Sequence, residues 1–544
     1  MKLDMRLHSS LEKIFPDQLE VNDSIGEVEL FQNETASFQV SWRNADGEPR
    51  EYIEWELISP ICEHIRVRRV RNVPVGLAVM EDADDDYLRR TPGLYPDLLT
   101  ENALGRLYSY PSQRSCLWLE VEPDGLCAGE YPVTIRMGAP EGEKFERTLN
   151  VRVLSGKLPK QTLQYTRWFY CDCICEAYGV EMGSERFWQL AEQFMAVAAK
   201  RGMNVLLTPI HTPPLDTAVG NERMTTQLVG VEKTENGYAF DFSGLDRWVE
   251  TAKRAGIEYC EMAHLFTQWG AKAAPKIVAK VDGVEKRIFG WDTPACSPEY
   301  VDFLNQYLPA LCTRLRELGI AEKCYFHISD EPRPEMLEDY YAAKKIVEPH
   351  LAGFPIRDAL SSYEFYQQGV VNTPIVATNH IQPFIDGKVP GLWCYYCIGQ
   401  YKKTSNSFIA MPSARTRIIG LQMYRYGIEG FLQWGYNFYH NQYSYDVIDP
   451  YLVTDGDGFA PAGDAFNVYP GPNGPEESLR MLTMQEALQD MRALQWLEQL
   501  SGREAVDKVV GEELTFEDYP RSAEWLLEMR KRVNKAICEA LAKN

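Results

Sequence analysis

The stretch Tyr325-Phe326-His327-Ile328-Ser329-Asp330-Glu331-Pro332 decides how this chain reads. A strand-compatible run ends in two adjacent carboxylates, and a proline, which has no N–H to donate, then bars further pairing. Upstream, Phe303, Leu304, Tyr307, Leu308, Leu311, Leu315 and Leu318 recur at helical spacing and stop at Gly319. Downstream, Met336, Tyr340, Ala343, Ile346 and Val347 keep the same period. Helix, strand, acidic tip and helix form one unit of an α/β barrel or an open parallel sheet. In both, chemistry gathers at the carboxyl ends of the strands. The competing reading makes Asp330-Glu331-Pro332 an ordinary helix start, where acids are favoured in the first turn.

Outward from this unit the alternation repeats. Further strand candidates are 166–175, 204–209, 258–265, 353–359, 374–378, 391–397 and 430–435, with 323–329 as the fourth of the eight. Helical patterns separate several of them: Phe187 to Ala198 closing at Gly202, Leu245 to Ala252 closing at Gly256, and Ser413 to Tyr424 closing at Gly427. Eight strands over this length match a (β/α)8 TIM-like barrel better than a doubly wound sheet. Residues before about 157 read as all-β, with alternating runs such as Thr35 to Val40, Ile65 to Val70 and Ser115 to Val121 separated by turns such as Pro123-Asp124-Gly125. That spacing predicts a β-sandwich. The acidic run Glu81 to Asp86 inside it reads as a solvated loop. A Gly- and Pro-rich loop from Asp455 to Pro475 leads into two helical stretches, about 476–500 and 521–543. The fold class is therefore multidomain β plus α/β: an N-terminal β-sandwich (1–157), a central catalytic barrel (158–475) and C-terminal helices (476–544) packed on it.

A chain of 544 residues needs more than one core, and 45% hydrophobic with 25% charged residues is a globular composition. The formal charge of −22 repels phosphate backbones and anionic lipid, which argues against nucleic-acid and membrane partners but leaves a neutral sugar open. No apolar stretch reaches the roughly eighteen residues of a membrane span, and Met1 to Arg6 has no signal-peptide core. Thirteen cysteines, an odd number, fit a reducing compartment, so the expected location is cytoplasmic. No Gly-x-Gly-x-x-Gly follows a strand and no Walker loop occurs, so no nucleotide cofactor is expected. Oligomeric state is left open.

The strand assignment places candidate pocket residues. His211 follows strand two, His264 ends strand three, His380 follows strand six, Tyr395 and Tyr396 lie in strand seven, and Trp434 and Asn437 stand at the end of strand eight. His327, Ser329 and Glu331 share one side of strand four by period-two alternation. A histidine metal site finds no support: strand one reads Tyr170-Cys171-Asp172-Cys173-Ile174-Cys175, with no His-x-His, and no His-Glu-x-x-His occurs. An acid pair among aromatics points instead to glycoside cleavage, which needs a protonated carboxyl for the leaving oxygen and support for an oxocarbenium-like centre. Ordinary retaining barrels carry a carboxylate nucleophile on strand seven, and Gly391 to Cys397 has none. Two adjacent acids fit another route, in which a 2-acetamido group attacks the anomeric carbon through its own carbonyl oxygen. One acid holds the amide N–H, its neighbour serves as acid and then base, and a strand-seven tyrosine bonds the acetamido oxygen. Alternatives are an inverting glycosidase using Glu331 with Asp172 or Asp358 as base, and a carbohydrate-binding barrel without turnover.

Several motifs in order also resemble a known family. Asn33-Glu34-Thr35-Ala36-Ser37-Phe38-Gln39, Tyr95-Pro96-Asp97-Leu98-Leu99, Leu117 to Val121 with Ala128 to Tyr131, Ser329-Asp330-Glu331-Pro332 and Gly463 to Gly471 are similar to those of the family 123 glycoside hydrolases and the wider group once called domain of unknown function 4091. The resemblance implies substrate-assisted, retaining hydrolysis of a terminal β-linked N-acetylgalactosamine-like sugar, without metal. It makes Asp330 the residue that orients the acetamido group, Glu331 the acid/base and Trp434 a stacking floor for the sugar.

Overall fold

The structure is a computed structural model and describes residues 2–46, 51–101, 105, 107–511 and 513–543. The N-terminal part forms two packed sheets. The smaller orders Glu27–Phe31, Lys144–Leu154, Gly129–Gly138, Glu51–Ile58 and Leu107–Ser109. The larger orders Leu3–Ser9, Ala36–Asn44, Ser115–Val121, Ile65–Val75 and Gly93–Glu101, then continues into a hairpin from the far end of the chain, Gly474–Ser478 and Val468–Gly471. Alternation along Ser115–Val121 explains why both faces of this sheet are covered. Leu117, Leu119 and Val121 point into the core between the sheets. Trp118 points the other way, onto Leu479 and Leu482 of the C-terminal helix.

Eight short parallel strands follow, one in each predicted position: Gln164–Arg167, Val205–Thr208, Tyr259–Met262, Cys324–Tyr325, Arg357–Ala359, Thr373–Ala377, Trp393–Tyr395 and Gly430–Gln433. They form a curled sheet in two sections, one ordered first, eighth, seventh, sixth, fifth and the other second, third, fourth. The ladder does not close into a full barrel. Between the fourth and fifth strands it thins to one bridge, with the Phe326 N–H on Pro355 O and the Arg357 N–H on Phe326 O, both at 3.0 Å. Between the first and second, Asn204 spans the gap: its N–H donates to Tyr165 O (3.1 Å) and its side-chain oxygen accepts from the Tyr165 N–H (2.8 Å).

Local signals account for the helices around the sheet. Ser184 caps Glu185–Lys200 through the Phe187 N–H, Ser297 caps Pro298–Glu317 with proline in its first turn, and Gly256 (φ +98°) ends Ser243–Ala255. The expected helix 413–427 is split into Ser413–Arg417 and Ile419–Arg425. Gly420 lies so close to the C-terminal helix Leu479–Ser501 that an added Cβ would sit 1.9 Å from Ala487 O. Two further helices, Arg503–Val510 and Ala523–Leu541, complete the C-terminal part. A mixed sheet of two hairpins, Gly237–Asp241 with Gly230–Thr234 and Ile277–Val281 with Val284–Phe289, joined by a parallel pairing of their inner strands and inserted beyond the second and third strands, has no counterpart in the sequence reading. Among the described residues no helix is long and apolar enough to cross a membrane.

The acidic run is not a free solvated loop. Asp84 accepts from the buried Arg415 (2.7 and 3.0 Å), Asp86 from Arg521 (2.8 Å), and Asp82 pairs with Lys402, so the run ties the N-terminal part to the loops beside the seventh strand and to the C-terminal segment.

Candidate active site

On the side of the fifth strand the fourth stops pairing earlier than its sequence suggests, while His327 O and Ile328 O still accept from the N–H groups of Leu265 and Phe266 (3.1 and 3.0 Å). The N–H of Ile328 is taken by the carboxylate of Asp358 (3.1 and 3.2 Å) rather than by a neighbouring carbonyl, and the Ser329 hydroxyl donates to Thr267 O (2.8 Å). The chain then turns sharply, with Glu331 in the left-handed region at φ +43°. A side chain there costs on the order of 1 kcal/mol, and such strain survives only where the surroundings impose it. Asp330 and Glu331 remain partly open to solvent at this tip.

Three neighbouring segments meet the pair. The Tyr395 hydroxyl, on the seventh strand, donates to Glu331 Oε1 and lies 3.5 Å from Ser361 Oγ. Burial first, and then Glu331, push that hydroxyl well above its ordinary range, so it stays a neutral donor. The Cys397 thiol is likewise raised by burial and then by Glu331, Asp464 and Asp330. Asp464 in turn accepts from the Trp434 indole N–H (2.8 Å) and from Gln433, and its burial raises it to about 7. Asp330 is held well above the usual carboxylate value by burial and by the charge of Glu331 beside it. Asp330 therefore keeps its proton to higher pH than an ordinary carboxyl.

Beneath the pair lies a layer the sequence did not reveal. His327 Nε2 is 2.7 Å from Glu261 Oε1, and Nδ1 is 3.2 Å from Asp358 Oδ1. Glu261 also accepts from Thr166 Oγ1 and the Trp168 indole, both at 2.7 Å, and Asp358 from the Tyr340 hydroxyl at 2.6 Å. Burial raises Asp358, while His327, Tyr340 and the Ile328 N–H pull it back towards its ionised form. Ionised carboxylates only accept, and beside two of them both ring nitrogens of His327 carry hydrogens. Burial opposes that charge, but Asp358 and Glu261 outweigh it and raise His327 to about 9. His264 stacks on His327 at 4.2 Å between ring centres, and burial together with that cation keeps His264 neutral.

The other candidates divide. Trp434 is half-buried beside Asp464, with Phe438 edge-on at 5.1 Å. Tyr396 is turned away from the tip, where its hydroxyl accepts from Arg167 (3.3 Å) and its ring packs on Phe431; adjacent strand residues face opposite ways. His211 is buried with Nε2 on His264 O (2.7 Å), and burial lowers it to about 4, so it is a neutral packing residue rather than a sugar contact. His380 is exposed, and among the described residues it makes no side-chain contact to the pair. Asn437 is buried and clamps the backbone of Tyr170 at both ends, 2.9 Å each, so both polar atoms of its side chain are engaged inside the protein. Asp172 is not on a strand tip at all. It lies in the helix Cys171–Tyr178, buried against Arg223 at 2.7 Å. Asp358 serves His327 and Ile328. The two acids considered as a distant base are thus fully engaged inside the protein. Glu261 could have been flagged as the lone carboxylate in an apolar strand; Asp464 had no local signal beyond its motif.

The sequence profile of the glycoside hydrolase 123 catalytic domain matches residues 168–497. No curated protein sequence matches the chain. Among solved structures, a family 123 glycoside hydrolase from Clostridium perfringens, described for glycolipid glycan hydrolysis, superposes with a TM-score of 0.76 at 14% identity, covering 100% of this chain and 99% of that one. A GH5 xyloglucanase from Bacteroides ovatus reaches a TM-score of 0.33 at 8% identity over 86% of this chain and 99% of its own. The profile spans more than half of the sequence and includes every strand from the second to the eighth together with the acid pair, so the chain belongs to glycoside hydrolase family 123.

Proposed function

We propose that this protein is a retaining exo-glycosidase that removes a terminal β-linked 2-acetamido sugar by substrate-assisted catalysis. The observation that carries this reading is the neighbouring pair Asp330 and Glu331 on one strand tip, with the Tyr395 hydroxyl on Glu331 and no carboxylate in the facing segment 391–397. Burial and the neighbouring Glu331 raise Asp330, which favours its protonated form in the free enzyme. An acetamido N–H donated to Asp330 favours its anion. The proton then belongs to Glu331, which passes it to the glycosidic oxygen as the C–O bond breaks. The acetamido carbonyl oxygen forms the new bond to the anomeric carbon, giving a cyclic oxazolinium. Glu331, now a carboxylate, takes a proton from water as that water opens the ring from the face the leaving group left. Two displacements restore the original configuration. Tyr395 steadies Glu331 before reaction and is free to turn to the acetamido oxygen.

The same reading treats the curled sheet as an incompletely paired (β/α)8 barrel, with the catalytic unit at 158–475 between the sandwich and the C-terminal helices. It places the reaction in the cytoplasm, on short oligosaccharides bearing N-acetylgalactosamine. A panel of aryl β-glycosides with and without the 2-acetamido group tests it. Turnover is expected on the acetamido members, with the plain sugars slower by roughly 10³-fold or more, since an internal nucleophile is worth a large effective concentration. Equal rates on both sets contradict the mechanism.

A further inference from the structure

His327 is placed as no packing histidine needs to be. Each ring nitrogen faces a buried carboxylate delivered by a different strand, Glu261 from the third and Asp358 from the fifth. The clamp is anchored in turn: Glu261 by Thr166 and Trp168, Asp358 by Tyr340 and the Ile328 N–H. The remaining neighbours are His264, stacked and neutral, and Tyr325, edge-on at 5.5 Å. The backbone joins the ring to the reaction as well, because Asp358 binds both His327 and the N–H two residues before Asp330. The imidazolium and Asp358 are the two charges of this layer that Asp330 senses, the first favouring its anion and the second opposing it.

Resting on the assignment of Asp330 and Glu331 above, we propose that His327 is a positioning residue for the reaction, a buried imidazolium beneath the acid pair that keeps Asp330 ready to be the carboxylate when the acetamido N–H arrives. It touches neither sugar nor leaving group. Its effect reaches the chemistry through Asp330, by charge and by the strand geometry that Asp358 shares between them.

The test is the pH profile of kcat/KM on an aryl 2-acetamido-β-glycoside, whose acid limb reports ionisation of the pair in the free enzyme. His327→Gln removes the positive charge, so the acid limb is expected to move to higher pH by roughly one unit, the size a close opposite charge imposes. Asp358→Asn removes a negative charge while keeping an acceptor for Ile328, and Glu261 continues to hold the imidazolium. Its acid limb is expected to move the other way. A purely structural role predicts lower rates with the limb unmoved in both variants, or both limbs shifted in the same direction, and either result overturns the proposal. Should His327→Gln fail to fold, Asp358→Asn decides alone: a downward shift supports the clamp and a static limb refutes it. Failure of the acid-pair assignment itself shows separately, as near-normal turnover in Asp330→Asn.

Discussion

Glu331→Gln is expected to lower turnover by about 10²–10⁴-fold on substrates with a sugar leaving group, the usual contribution of a general acid. The isosteric amide keeps the Tyr395 contact but has no proton to give. An activated aryl leaving group needs little protonation, so the loss there should be smaller, and the gap between the two substrates is the diagnostic. Asp330→Asn is expected to lose comparable activity on both, because the amide cannot balance the charge that grows on the acetamido nitrogen. Steady-state kinetics of the two variants on an aryl glycoside and a disaccharide separate these cases. If both variants turn over nearly as fast as the parent, the strand tip is not the site.

The largest stability effect is expected far from the sugar. Glu477, in the hairpin that the end of the chain adds to the N-terminal sheet, meets Arg68 and Arg201, and both arginines also meet Glu120 (2.6 and 3.0 Å). All four are buried. Arg68 and Glu120 belong to the N-terminal sheets, Arg201 ends the helix Glu185–Lys200 beside the curled sheet, and Glu477 comes from the hairpin, so one charge-neutral cluster joins three parts of the fold. Burial alone would raise the Glu477 carboxyl, but Arg201 and then Arg68 bring it well below its usual value. Glu477→Ala leaves two arginines sharing one carboxylate without water, and breaking a buried pair this way costs about 3–5 kcal/mol. Urea unfolding should show that loss. Because the folded carboxyl is depressed, its contribution is present above the ordinary value of 4.5 and disappears as pH falls further. The parent should therefore lose stability in acid more steeply than Glu477→Ala.

Helices were legible because their signals are local: Gly202, Gly256 and Gly319 close apolar patterns of helical spacing, and the structure ends a helix within two residues of each. Strand positions were legible too, but not their lengths. The sequence extends the fourth strand through Ser329, whereas a side chain from the fifth strand takes the Ile328 N–H and ends the pairing on that side. The first was extended to Cys175, whereas Asn437 from beyond the eighth strand takes the Tyr170 N–H and a helix begins at Cys171. In both cases a residue remote in sequence supplies the acceptor, and no window around the strand contains it. The site divides the same way. Asp330 and Glu331 stand out as neighbours at a strand end. The carboxyls packed around them, Glu261, Asp358 and Asp464, come from three other segments, and their pairing is decided only when the sheet curls. Four histidines near the carboxyl ends looked alike in the sequence; burial makes two of them neutral, a double carboxylate clamp makes one a cation, and the fourth is exposed. The acidic run 81–86 reads as solvated because its arginine partners lie more than three hundred residues away.

The most direct measurement is the configuration of the sugar at the moment of release, followed by proton NMR of the anomeric signal during early turnover of an aryl 2-acetamido-β-glycoside. An acetamido nucleophile predicts that the β anomer appears first and the α anomer grows in only by mutarotation. First release of the α anomer would mean that water attacks directly, against an acid pair built to let the substrate supply the nucleophile.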